Sequence, residues 1–355
     1  MRISIYTLFL AACASTGLAQ DNAISGDLYP VNSKWTKEYD LSKVPNKPLR
    51  AVGSGVCNNS NCGPDDCDKC FESCGNCPLK EDVYGCEAGK WALTFDDGPS
   101  DFTPQLLDIL AAAKVKVTFL MVGSNVVKYP EVVKRAFDEG HQISQHTWSH
   151  PHLMSISNEQ IVAELRATEE AIFNITGART AFVRPPYGEA DDRVKGVFKA
   201  MGYHNLLWNM DTLDWDIVEK KQNPDKILDS FKNVLAKGTD LNPFNSPGFI
   251  SLQHDLYVDT VKRVPMIEQL LAQNNFHFVL AHDCINTQPY QNIVDKESSS
   301  KTSASVAQES TAKAASSTPS TGVAAAAAVS GVSNIERTTA IFALVLFVST
   351  AILSF

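Results

Sequence analysis

Lys90-Trp91-Ala92-Leu93-Thr94-Phe95-Asp96-Asp97-Gly98-Pro99 is the stretch on which the fold turns. Trp91–Phe95 reads as an apolar strand, two carboxylates follow it directly, and Gly98-Pro99 forces a turn. Side chains of neighbouring residues diverge, so Asp96 and Asp97 can serve different partners from one strand end. Taken alone, the last four residues would be an ordinary exposed turn. The rest of the chain changes that reading.

Short apolar runs recur downstream at Val117–Val122, Gln142–Ser144, Ala181–Val183, Asn205–Trp208, Gly248–Leu252 and Phe276–Ala281. Between them apolar residues recur three and four apart, the helical spacing. Thr103–Ala113 carries Leu106, Leu107, Leu110 and Ala113; Glu159–Phe173 carries Ile161, Leu165 and Ile172. Asp259–Gln273 carries Val261, Val264, Ile267 and Leu271, and residues 131–139, 190–201 and 224–236 show the pattern more weakly. Strands alternating with helices in this way predict parallel βαβ units and an α/β fold. Asp96, Asp97, His146, Arg184, Asp211, Asp214 and His254 all fall at or just beyond the C-terminal ends of these strands. In a parallel α/β barrel those ends share one face, so residues far apart in the chain can meet in one pocket.

The residue types there have a common chemistry. In His146-Thr147-Trp148-Ser149-His150, imidazoles four apart can point to one side of a helical turn and chelate a single ion. Joined by Asp97 they form a set of three protein ligands, which leaves positions for water and substrate. Zn²⁺ suits such a set best, and Co²⁺ also fits. In Arg184-Pro185-Pro186-Tyr187-Gly188, the prolines make a rigid exit that positions the Tyr187 N–H, and the guanidinium can keep Asp96 ionised. Asp211-Thr212-Leu213-Asp214-Trp215 and Leu252-Gln253-His254 add a third imidazole with a carboxylate to orient it, a natural general acid. Trp215 and Leu252 can wall a small apolar group such as an acetyl methyl. Each motif alone would more often be packing or a turn.

Together, in this order and at these separations, the five motifs resemble the polysaccharide deacetylases of carbohydrate esterase family four, the NodB-homology domain. The resemblance spans about Lys90 to Cys284. It implies a distorted (β/α) barrel of about seven strands; the small disulfide-rich segment before it lies outside the resemblance. It also implies Asp96 as catalytic base, Asp97, His146 and His150 as metal ligands, and Arg184 as partner of the base. The Tyr187 N–H resembles an oxyanion donor, and His254, tuned by Asp214, the acid.

The flanking segments read as an exported protein. Arg2, an apolar run from Ile3 to Ala14, then Gly17 and Ala19 make residues 1–19 a secretory signal. Residues 20–56 are polar, rich in Pro and Lys, and read as an extended arm. Residues 57–86 are cysteine-rich: Cys57–Cys77 holds six cysteines with too little apolar sequence for a core, so cross-links must hold it. In an oxidising compartment disulfides are favoured there over zinc. The spacing leaves the pairing open; one set keeps those six together and ties Cys86 to Cys284 across the two ends of the catalytic domain, 87–285. Residues 286–333 form a Ser/Thr/Ala-rich stalk, and 334–355 close in an apolar run of 16 residues from Ala340, short of the roughly 20 a spanning helix needs. These are the parts of a glycosylphosphatidylinositol signal, with attachment near Ser330–Asn334.

Asn58 and Asn174 head glycosylation sequons. The formal charge of −9 argues against a nucleic-acid partner and is neutral about an uncharged glycan. A stalked, lipid-anchored enzyme of this family points to a fungal-type wall and to chitin, the N-acetylglucosamine polymer, as substrate. O-deacetylation of a glycan such as acetylxylan, or wall binding without catalysis, are the alternatives.

Overall fold

A computed structural model describes residues 27–52 and 78–291. The signal segment 1–19, the cluster Cys57–Cys77 with Asn58, the stalk beyond Gln291 and the tail 334–355 lie outside the described residues. The strands are β1 (Gly85–Cys86), β2 (Lys90–Asp96), β3 (Thr118–Met121), β4 (Gln142–Gln145), β5 (Phe182–Val183), β6 (His204–Asn205), β7 (Met210–Asp211), β8 (Gly248–His254) and β9 (His277–Phe278). They form one sheet in the order β1-β8-β2-β3-β4-β5-β6, with β7 on β8 and β9 on the start of β2. Every strand pairing is parallel except β1 with β8.

β2 is the centre of this arrangement, and both its faces are buried, as the near-continuous apolar run requires. Trp91, Leu93 and Phe95 pack outward against Leu106, Leu107 and Leu110 of the helix Thr103–Ala113 and Val264, Ile267 and Leu271 of the helix Val258–Gln273. Ala92, two residues from Thr94 and four from Asp96, belongs to a second cluster inside the curl of the sheet, with Leu120, Phe182, Leu206 and Ile250. The inner face thus turns from apolar to polar at its upper end, where the chemistry sits. After β6 the chain returns toward β8: the Leu206 N–H donates to Val183, Leu207 to Val83, and Asn209 to the Ile250 carbonyl. This run curls the sheet into an incomplete barrel.

All seven expected strands and all six expected helices are present. β6 and β9 are shorter than their apolar runs, because residues flanking them bond as irregular bridges. β1 and β7, two residues each, carry too little periodicity to be read from sequence. The described part of the arm departs from the extended reading: Ser33–Thr36 forms one helical turn, capped by the Asn32 side chain. Trp35, Tyr39, Leu41 and Val44 pack against the cluster between the helices Asn158–Thr176 and Asp192–Ala200. Four anchors at irregular spacing leave no periodic signature.

Cys86 and Cys284 form a disulfide across the two ends of the domain, as in the one pairing set out from the spacing, closing 198 residues. Replacing both with serine is expected to lower the unfolding free energy by about 2–5 kcal/mol in denaturant titrations while leaving the native circular dichroism intact. An unchanged midpoint would show that the bridge adds nothing.

Candidate active site

Strand register brings the functional groups together. Asp96 at the end of β2 lies opposite His254 at the end of β8, and β4 ends one residue before His146. Just past β2, Asp97 takes a left-handed backbone (φ 72°), held by its N–H on the Leu120 carbonyl and by the Asn125 amide on its own carbonyl. Such a conformation in a non-glycine residue costs on the order of 1–3 kcal/mol and persists only where its surroundings impose it. Gly98 follows by necessity, since a Cβ there would stand 2.2 Å from the Asp255 carboxylate.

The ring Nε2 atoms of His146 and His150 lie 3.3 and 3.2 Å from Asp97 Oδ1, all three side chains buried. His146 Nδ1 donates to the Arg184 carbonyl at 2.7 Å, which puts its proton there and leaves the Nε2 lone pair facing Asp97. Asp97 Oδ1 accordingly has no hydrogen-bond donor despite its burial. Burial pushes the Asp97 carboxyl up, but the imidazoles of His150 and His146 outweigh it and hold the group well below the usual carboxylate range. A buried carboxylate oxygen facing two imidazole Nε2 atoms is the donor set of a divalent cation, and the three ligand atoms lie within 4.8 Å of one another. The residues fit a metal.

The loop carrying the two imidazoles is not a helical turn. Thr147 and His150 both sit in the left-handed region, at φ 67° and 57°. The His150 N–H reaches back to Thr147 Oγ1, and Glu164 takes the N–H groups of Trp148 and Ser149. These bonds replace the helical ladder and bring the rings together, their centroids 4.9 Å apart.

Two carboxylates flank the triad in different settings. Asp96 is paired with the fully buried Arg184, Nη1 to Oδ1 at 2.6 Å. The fully buried Asp214 binds His254 Nδ1 at 2.7 Å and accepts the His254 N–H and the Thr260 hydroxyl on its other oxygen. His254 Nε2 is thereby aimed at the triad, 3.9 Å from Asp97 Oδ2. Burial alone would lower the His254 pKa, but Asp214, Asp97 and Asp96 carry it up to about 10.

Comparison with known proteins agrees with this geometry. Residues 86–206 match the polysaccharide deacetylase family. Chitin deacetylase 1 of Cryptococcus neoformans is 34% identical over 290 residues, 77% of this chain and 60% of the relative. The Bc1960 peptidoglycan N-acetylglucosamine deacetylase is 31% identical, with a TM-score of 0.52 over 59% of this chain and 94% of that one. The chain belongs to the polysaccharide deacetylase family. The chitin deacetylase of Colletotrichum lindemuthianum shares the fold at a TM-score of 0.54 and 29% identity, over 60% of this chain and 96% of its own. The chain spans 60% of the length of Cryptococcus chitin deacetylase 1 and 56% of that of chitin deacetylase 3.

The other expected residues lie near the ends of the same strands. Tyr187 sits in the left-handed region (φ 60°) at the tip of a short turn, edge-on to His150 at 4.6 Å and stacked on His152 at 3.9 Å. Leu252 is buried on β8, two residues before His254, and Trp215 is half-buried in the first turn after Asp214. Asp211 also belongs here: burial pushes its carboxyl up to about 6, and it accepts the Leu213 N–H. Asn174 lies apart, exposed near the end of the helix Asn158–Thr176.

Four contributors were not read from the sequence: Thr94, Asn125, Glu164 and Thr260. A carboxylate inside Ile161-Val162-Ala163-Glu164-Leu165 was the one visible signal, because a buried glutamate on an apolar helix face needs a partner. The others are uncharged and short.

In chelator-treated protein, the His254 ring should remain protonated well above neutral pH in an NMR titration. Asp214→Asn removes the largest upward influence, so the titration should move down toward the ordinary histidine range. A midpoint unmoved by that change would contradict the pairing.

Proposed function

We propose that this chain hydrolyses N-acetyl groups of chitin, releasing acetate and leaving glucosamine units, the product being chitosan. The observation that carries the reading is the buried Asp97, His146 and His150 triad standing between a carboxylate ion-paired with Arg184 and an imidazole held protonated by Asp214. One acceptor and one donor of protons, on either side of a cation site, is the equipment that amide hydrolysis needs. Similarity to proteins named chitin deacetylase and peptidoglycan N-acetylglucosamine deacetylase supports an N-acetylglucosamine unit as the group acted upon.

Asp97, His146 and His150 would hold a divalent ion, zinc by preference, which would make water more acidic and polarise the acetamide carbonyl. Asp96, with Arg184 on its other oxygen, takes the proton from the attacking water. The Tyr187 N–H donates to the oxygen that gains charge at the tetrahedral stage, and loss of one such donor typically slows turnover ~10²–10³-fold. His254 Nε2 gives its proton to the departing amine as the C–N bond breaks, with Asp214 stabilising the imidazolium. Leu252 and Trp215 offer an apolar surface beside these groups for the acetyl methyl.

The same reading extends to location. The signal at 1–19, the stalk and the apolar tail support export and lipid anchoring at the outer membrane face, near a wall. Asn174, exposed in an Asn-Ile-Thr sequon, is open to a glycan.

Acetate release from chitin oligomers tests the activity. It should stop with chelator, return with zinc, and fall by ~10²–10⁴-fold in Asp96→Asn, which should still bind metal. Release that ignores the chelator would refute the metal-dependent reading, and turnover of acetylxylan alone would shift it to O-deacetylation.

A further inference from the structure

The loop that carries His146 and His150 is gripped by groups outside the catalytic set, and one of them comes from the N-terminal arm. Glu164, on the helix Asn158–Thr176, accepts the Trp148 and Ser149 N–H groups on Oε2 at 3.0 and 2.8 Å, and the Ser149 hydroxyl lies 3.1 Å from both its oxygens. Its Oε1 accepts the backbone N–H of Tyr29 at 2.8 Å, across 135 positions of sequence. One turn earlier on that helix, Gln160 donates its side-chain amide to the Tyr29 carbonyl at 2.6 Å. Both polar groups of the Tyr29 backbone are therefore tied to the helix that holds the ligand loop.

The side chains repeat the link. The Tyr29 ring meets Trp148, the residue midway between the two imidazoles, edge-on at 4.9 Å and stacks on Trp35 at 5.7 Å. Trp148 also rests on Gly123, where a Cβ would come within 2.6 Å of the indole. There the Gly123 and Ser124 N–H groups donate to the Thr147 and Trp148 carbonyls. The loop is clamped between the arm and the helix Gly123–Lys128.

This clamp bears on metal binding because the loop holds an unfavourable shape. Left-handed Thr147 and His150 relax unless surrounding contacts over-determine them. A groove-filling arm would add stability without affecting the ligands. An arm bonded to the carboxylate that fixes the loop backbone does more.

We propose that the N-terminal arm, through Tyr29, is a positioning element for the metal ligands His146 and His150, acting by way of Glu164 and Trp148. The proposal rests on the reading of Asp97, His146 and His150 as the metal site. Its test uses the full chain carrying Tyr29→Ala, Gln160→Leu, both together, or Tyr29→Phe. Zinc dissociation constants come from competition with a chromogenic chelator, and thermal unfolding of the metal-free forms is followed in parallel.

Tyr29→Ala and Gln160→Leu should each weaken zinc binding by about tenfold, and the pair by more, within the range seen when outer contacts of metal ligands are removed. Tyr29→Phe, which keeps ring and N–H, should bind as wild type. Folded variants with wild-type zinc affinity would overturn the role of the arm, as would a loss that only tracks the unfolded fraction. Should Tyr29→Ala fail to fold, Gln160→Leu decides, because it leaves every arm side chain in place. Failure of the wild-type chain itself to bind zinc would instead remove the metal site, and the arm proposal with it.

Discussion

One guanidinium with no access to solvent organises this molecule. Arg184 gives its Nη1 to Asp96 and to Thr94 Oγ1, its Nε to the Leu206 carbonyl and its Nη2 to the Leu207 carbonyl, and it lies over the Trp208 ring. Burying a charge costs several kcal/mol unless it is paired and its remaining protons are bonded, and here both conditions hold. The bonds span the lumen from β2 to the run after β6, so the residue that orients Asp96 also ties the curled sheet across its open side. Its backbone carbonyl receives His146 Nδ1. Asp96 and His146 are thus both positioned by one residue, and removing its side chain would leave the buried Asp96 without its ion-pair partner.

The rest of the site follows the same economy of shared supports. Asp214 alone accepts from the ring, the backbone and a neighbouring hydroxyl around His254. Glu164 accepts from the backbone of the His146–His150 loop and from Tyr29 of the arm at once. Asp214 and Glu164 each take three or more donors, which offsets part of the cost of burying them. The five non-glycine residues held in left-handed geometry at the mouth, Asp97, Thr147, His150, Tyr187 and Leu213, show where folding free energy is spent on function.

Much of this was legible beforehand, for identifiable reasons. Parallel strands buried on both faces write themselves as apolar runs, so β2, β3 and β8 were plain, and charged residues just past such runs stood out against them. Asp96, Asp97, His146, His150, Arg184, Asp214 and His254 were all placed at one mouth on that basis. What escaped was whatever depends on backbone shape or on neutral partners. The His146–His150 pair, read as one side of a helical turn, converges through a left-handed loop whose shape is imposed by Glu164, distant in sequence. The arm, read as extended, docks through Trp35, Tyr39, Leu41 and Val44 at irregular intervals that no period reports. Thr94, Asn125 and Thr260 act through one or two side-chain hydrogen bonds each and look like any small polar residue.

The central claim is that Asp97, His146 and His150 hold one divalent ion beside Asp96 and His254. Anomalous diffraction at the zinc edge, from crystals of the protein grown with zinc, addresses it directly. A single strong peak bonded to an Asp97 carboxylate oxygen and to Nε2 of His146 and of His150 is expected. A peak at other residues, or none at this triad in protein that still releases acetate, would contradict it.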